Sequence, residues 1–420
     1  MTGSLVIFVL TYLVLAGGQL PFLRLDRPGA AVVGAAAMVI VGGLPMDDAL
    51  HAIDLHVLIL LFGVLVIAAY LDRAQFFRYV AYLVLTRTRS ARTLLFGLTF
   101  VAGALSAFLV NDTVCVVLAP LVVAVVVETR LPALPYLLAL AGGANVGGVV
   151  SFSGNPQNMI VGAAAHGTIG FAQYFALLLP VGAVCLAANA LLLSLMFRKQ
   201  LRAGMLGERT APKPALDKVL AAKALGALGL FAVLALAGVA LAGAAMAAAA
   251  TVMLAARTGG REVFGRVDWT LLALFGGLFV VVAGIQHAGL LDRLFDAVAP
   301  VLGRGDWLGV IALVALIVIG TQLVSNVPLV LVAVHWIPKL PSPTWGYIVL
   351  AVASTLAGNL TLFGSIANII VLESAGPRGE IGFWRFLRYG SVITVVDLVV
   401  ALAILGAERA IGVPGWLGLR

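Results

Sequence analysis

The segment VSFSGNPQNMIVG (Val150–Gly162) lies inside a run from Leu131 to Phe197 that contains no Asp, Glu, Lys or Arg. Its Ser, Asn and Gln side chains carry polar groups that cost free energy in hydrocarbon unless they are paired. Asn155 is a good N-cap, Pro156 suits the first helical position, and Gly154 allows the sharp turn before it. The segment therefore reads as a helix broken at membrane depth. Such a break is tolerated only where the backbone is buried in protein or lines a wet cavity. The half-helix that follows directs its N–H groups and the positive end of its dipole into the gap.

The rest of the chain has the same character. Of its 420 residues 62% are apolar and 10% charged, and the mean hydropathy is +1.13, which indicates a polytopic membrane protein. Runs without acid or base give roughly ten to twelve crossings at about 20 residues each. The first run has neither the basic start nor the small-residue cleavage site of a signal peptide, so it stays as a helix. The net charge of +8 is spread over loops, which argues for topology and against nucleic acid. Arg24, Arg27, Arg73 to Arg92, Arg198 to Lys223 and Arg257 to Arg266 then face the cytoplasm, and the amino terminus and Asp47, Asp48 and Asp54 lie outside.

Three matches in constant order reveal a duplication. Phe62-Gly63 aligns with Phe275-Gly276 at an offset of 213, LVNDTVCVVLAP (Leu109–Pro120) with LVSNVPLVLVAV (Leu323–Val334) at 214, and SGNPQNMIVGAAA (Ser153–Ala165) with FGSIANIIVLESA (Phe363–Ala375) at 210. The charge rule gives the two copies opposite orientation. Inverted repeats are the architecture of secondary transporters, whose site lies at the midplane between the halves. The expected organisation is N-terminal transmembrane helices over 1–54, a first inverted repeat over 55–197, a cytoplasmic linker over 198–223, linking transmembrane helices over 224–268 and a second inverted repeat over 269–420. The expected fold is all-α, with paired re-entrant hairpins and broken helices divided between a scaffold and a transport part. Asp72 to Tyr82 and the segment from Leu291 onward read as interfacial amphipathic helices.

The polar residues fall in equivalent pairs. Ser153, Gly154, Asn155 and Asn158 face Gly364, Ser365 and Asn368, and Asn111-Asp112-Thr113 faces Ser325-Asn326. Before the breaks stand Asn145 and Ser151 in one copy and Thr355, Asn359 and Thr361 in the other, as first arms of the re-entrant hairpins. Asp112 is the one acid or base between Arg92 and Glu128. A carboxylate at bilayer depth costs roughly 3 kcal/mol or more unless solvated or protonated, which marks it as a proton-coupling candidate. An N-cap role on the following helix is the plainer reading, and the two can coexist. Cys115, one turn on, is a candidate thiol contact or a buried small side chain. His166, His287 and His335 read as interfacial, and neither a metal set nor a cofactor motif is present. Ser153 lacks the His and carboxylate that a hydrolase needs, so an enzyme is not expected.

VNDTVCVVLAP, SGNPQNMIVG, SNVPLVLV and AGNLTLFGSIANIIV together resemble the ion transporter superfamily. It includes the ArsB arsenite and antimonite permeases, the plant silicic-acid efflux relatives, the NhaD sodium/proton antiporters and the dicarboxylate/sodium symporters. The resemblance implies elevator-type alternating access, a homodimer, an inner (plasma) membrane location and, for an ArsB-like chain, a cytoplasmic ATPase subunit as partner. The dicarboxylate branch carries Ser-Asn-Thr at both hairpin tips. Reading the tips here as Gly-Asn-Pro and Gly-Ser-Ile, with Asp112 inside Asn-Asp-Thr, favours the ArsB-type branch. The expected activity is export of arsenite, antimonite or silicate in exchange for protons. The alternative is a sodium-coupled di- or tricarboxylate symporter or a sodium/proton antiporter.

Overall fold

The computed structural model describes residues 2–17, 25–201, 213–257, 259–375 and 381–419. The first half contributes α1 (Thr2–Gly17), α2 (Arg27–Ile40), α3 (Met46–Ala52), α4 (Leu55–Arg73), α5 (Phe76–Arg87), α6 (Ala91–Ser106), α7 (Asn111–Glu128), α8 (Ala133–Gly148), α9 (Pro156–Ala164) and α10 (Phe171–Met196). The second contributes α11 (Lys218–Leu236), α12 (Leu241–Ala256), α13 (Gly260–Phe264), α14 (Trp269–His287), α15 (Leu290–Leu302), α16 (Trp307–Val324), α17 (Asn326–Ala333), α18 (Pro343–Ala357), α19 (Ile366–Ala375) and α20 (Phe383–Ala410). Each helix of the first half thus has its twin ten places later. The punctuation repeats too. Asp54 caps α4 and Asp268 caps α14 through their own carboxylates, and Gln75 (φ 61°) and Gly289 (φ 69°) make the same left-handed entry into the amphipathic helices α5 and α15.

The halves are exchanged at their starts. α2 packs on α14 of the other half, and α12 packs on α4. The contacts need glycine, since a Cβ on Gly63 would lie 2.8 Å from the Ala245 backbone and one on Gly277 would lie 2.6 Å from the Ala31 backbone. Gly277, one residue beyond the Phe-Gly match, is therefore the structural twin of Gly63.

α6 and α8 run side by side and stop at the same depth. Tyr136 Oη at the start of α8 donates to the Ala91 carbonyl at the start of α6 (2.9 Å), and a Cβ on Gly154 would meet the Ser106 carbonyl at the far end (2.7 Å). The chain turns there, and the Asn111 N–H at the head of α7 donates to Gly154 O (3.0 Å). So α6 and α7 form the re-entrant hairpin, while α8 and α9 are the two pieces of one broken helix. α16 and α17 with α18 and α19 repeat the plan. The hairpin tips are therefore Phe108–Asn111 and Ser325-Asn326, whereas the Asn155 and Ser365 clusters are the gaps of broken helices. The sequence reading had assigned the tips to those gaps. Among the described residues seven helices are long and apolar enough to cross a membrane. Five further helices, α1, α2, α6, α12 and α18, are apolar but shorter, which accounts for the shortfall from ten to twelve.

Candidate functional site

The two gaps meet at the centre and interlock. Asn145 on α8 is fully buried and reaches across to the other half. Its Nδ2 donates to Asn359 Oδ1 (2.7 Å) and Asn368 Oδ1 (3.4 Å), and its Oδ1 accepts from Ser365 Oγ (3.3 Å) and Asn111 Nδ2 (2.8 Å). Thr355 on α18 makes the mirror-image reach. Its hydroxyl accepts from Asn155 Nδ2 (3.2 Å) and Gln157 Nε2 (3.3 Å) and donates to Asn158 Oδ1 (3.3 Å). No Lys or Arg takes part in these bonds.

Each gap is held by a twin clamp. Asn158 Nδ2 donates to the carbonyls of Gly148 (2.9 Å) and Ser151 (3.2 Å), and Asn368 Nδ2 to those of Gly358 (2.7 Å) and Thr361 (2.9 Å). These carbonyls lie where the first half-helix ends and its own partners run out. Asn155 caps α9 as its type suggests, accepting from the Asn158 N–H (2.8 Å). Ser365 precedes α19 but spends its hydroxyl on Asn145 instead.

Two atoms of the amide chain remain open. Asn111 Oδ1, an acceptor, and Asn359 Nδ2, a donor, are buried without a partner. They flank Asn145 on either side.

Asp112 lies in the first turn of α7, one residue past the helix start, so Val110 and not Asp112 is the N-cap. It is 7% exposed and faces the N–H of Ala367 at the head of α19. The hairpin of one half thus meets the half-helix of the other, as α17 meets α9. Asp268 and Arg27 are the charges that act on Asp112. Arg27, which the sequence presents as a loop cation, begins α2 and donates from Nε to Leu15 O (2.8 Å).

Other expected site residues stand apart from the amide chain. Ser153 pairs with Ser151 (3.1 Å), whose hydroxyl donates to Ala107 O (2.5 Å), and Thr361 donates to Gln322 Oε1 (2.7 Å). Asn326, the first residue of α17, accepts from the Val327 N–H through Oδ1 (2.9 Å), and Ser325, the N-cap, at φ 70° and ψ 163°, holds the hairpin tip in a conformation that costs a non-glycine residue free energy. Thr113 is half-buried, Cys115 is buried beside Asp112, and Gly364 lets Gly358 O approach to 2.8 Å of where a Cβ would sit. Gln157 and Gln322 were missed, and Thr355 was noted only as a pre-break residue. The offset of 210 that joins the gaps makes Thr355 the twin of Asn145. Among the described residues no group of three or more His, Cys, Asp or Glu comes together to hold a metal.

Two cavities flank α9. One of about 690 Å³ is lined by Asp54, His56, Met159, His166 and Phe152 of the gap, and one of about 230 Å³ by Asp54, Ile160, Gln286 and His335. Both open on the face bearing Asp54, opposite the Arg73–Glu262 (2.7 Å) and Arg266–Asp72 (2.8 Å) pairs.

Inverted halves, paired broken helices, a buried polar centre and cavities that open on one face define a membrane transporter. The chain belongs to the CitMHS citrate transporter family, whose profile matches residues 6–344. It is similar to the silicon efflux transporter LSI3 of Oryza sativa subsp. japonica, at 29% identity over 92% of this chain and 94% of that protein. It is also similar to a putative transporter arsB of Dictyostelium discoideum, at 24% identity over 91% and 87%. The solved YdaH transporter of Alcanivorax borkumensis shares the fold, with a TM-score of 0.60 at 15% identity and coverage of 98% and 97% of the two chains.

Proposed function

We propose that the protein exports a small neutral metalloid oxyacid, of the arsenite, antimonite or silicic acid kind, in exchange for protons. One observation carries this reading: the amide chain at the centre leaves one acceptor and one donor open, Asn111 Oδ1 and Asn359 Nδ2, with no basic side chain among them. A hydroxyl both donates and accepts, so an uncharged polyhydroxy acid answers both atoms at once. Similarity to a silicon efflux transporter supports the solute class. Asp112, buried at the head of the opposing half-helix, is the group that carries the proton. The basic face lies in the cytoplasm, the amino terminus and the two cavities lie outside, and an elevator-type movement carries the gaps between the two sides.

A second reading, import of a citrate-like anion with sodium, is favoured by the two half-helix N-termini aimed at the centre. It also gains from the heads of the second hairpin arms, where Asn111-Asp112-Thr113 and Ser325-Asn326-Val327 lie nearer the Ser-Asn-Thr pattern. Proteoliposome transport of arsenite and silicic acid against citrate, with proton and sodium gradients varied separately, separates the two. Oxyacid flux driven by protons without sodium supports export. Citrate flux that requires sodium refutes it.

A further inference from the structure

Away from the central network, one carboxylate is buried in the seam between the last helices of the two halves. α10 and α20 each begin after a glycine N-cap, Gly170 and Gly382. Counted from those caps, Cys185 and Asp397 hold the same position. They also touch, with Cys185 Sγ 3.6 Å from the Asp397 carbonyl oxygen. A residue that contacts its own twin lies on the axis relating the halves. Asp397 lies mid-helix, fully buried.

Neither carboxylate oxygen of Asp397 has a partner. The helices run antiparallel, since Phe197 at the C-cap of α10 meets Tyr389 early on α20, ring centroids 4.5 Å apart. Interpolating between the two contacts puts Asn189, whose amide packs on Gly142 of α8, level with Thr394, one turn before Asp397. Both amide atoms of Asn189 and the hydroxyl of Thr394 are likewise buried and unpartnered. The main elements packed on α20 are α10, α18, the turn Leu362–Gly364 and the turn Val413–Trp416. Their ionisable side chains are Tyr174 and Cys185 on α10 and Tyr347 on α18, none of them cationic. On α20 itself the nearest charged residues, Arg388 and Glu408, are more than two turns away.

A bare carboxylate at this depth without a counter-charge is strongly disfavoured, so something must neutralise it. A metal cation needs a shell of several oxygens, whereas the residues one helical turn from the Cys185–Asp397 contact, Val181, Ile393 and Ala401, are buried and apolar. We propose that Asp397 is a second proton-binding site, set on the axis between the halves and separate from Asp112. Because the contact joins twins, relative movement of the halves alters it, and the proton is exchanged when the seam loosens. The proposal holds whichever solute the central network takes.

Infrared difference spectroscopy of the full-length protein in lipid vesicles, titrated from acid to alkaline pH, reads the C=O stretch of a protonated carboxylic acid. The expected result is a band that survives Asp112→Asn, disappears in Asp397→Asn, shifts in frequency in Asp397→Glu and does not respond to sodium. Should Asp397→Asn not fold, the Asp397→Glu shift alone assigns the band. A band unaffected by the Asp397 variants overturns the proposal. So does a wild type that lacks the band and melts higher in sodium, which would make the seam a cation site.

Discussion

Asn145 and Thr355 occupy the same place in the two halves, and each crosses the centre to bind the other's gap. Asn145 makes four bonds through two polar atoms, while Thr355 makes three through one hydroxyl. The hairpins differ in the same sense, with Asp112 in one and Asn326 aligned with it in the other. A nearly symmetric scaffold therefore carries asymmetric chemistry. The clamps Asn158 and Asn368, which hold the gaps, are alike, and the crossing and hairpin residues differ.

The strongest way to break this comparison is to remove its one acid. Asp112→Asn makes the hairpins alike in charge, and we expect gradient-driven transport to fall by about tenfold or more, equivalent to about 1.4 kcal/mol of coupling, with folding retained. Vesicle flux against an imposed proton gradient measures it, and wild-type rates would leave Asp112 with no coupling role. Moving the acid across, as Asp112→Asn with Asn326→Asp, should not restore flux if Arg27 and the head of α19 are what make the site.

Next come the clamps, where symmetry predicts equality. Asn158→Ala and Asn368→Ala each strand two buried carbonyls and should each cost about 1–3 kcal/mol, seen as matched drops in melting temperature in detergent. A drop in only one variant would show that the gaps are held differently.

Replacing the crossing residues sharpens the asymmetry. Asn145→Ala should weaken solute binding roughly tenfold, the scale of about one hydrogen bond, and by more than Thr355→Ala, which touches neither open atom. Binding measured on the purified variants decides this, and equal losses would refute it.

The smallest effect is expected at the basic face. The Arg73 guanidinium bonded to Glu262 holds that carboxyl below the usual carboxylate range. A depressed carboxylate contributes at neutral pH and loses its contribution as pH falls through its folded-state value. Glu262 is exposed, so water and salt screen the pair. Arg73→Gln should leave the melting temperature nearly unchanged at neutral pH, and a large drop would mean that the face is a rigid latch.

Much of this was legible in the sequence. Charge-free runs, the basic loops and three ordered matches suffice for two inverted halves, and Asn155-Pro156 announces the start of α9. The roles of gap and hairpin were harder to separate, because apolar half-helices and hairpin arms share one composition. The change of offset from 214 to 210 hid the true twin of Asn145. Four residues are about one helical turn, so Asn359, at 214, and Thr355, at 210, lie on the same face, and only the contacts tell partner from twin. Nor could periodicity show that α2 and α12 are exchanged between halves, since a helix apolar on most sides does not say which neighbour it meets.

That exchange has a consequence for how the chain is made. During synthesis α2 enters the bilayer long before α14, the helix it packs against, and α4 likewise waits for α12. The first half cannot finish its own packing as it leaves the ribosome; its glycine-lined faces stay open until the second half arrives. Placement of α2 and α4 is then a late event, and a chain truncated after α10 would leave those two helices without the partners they pack against.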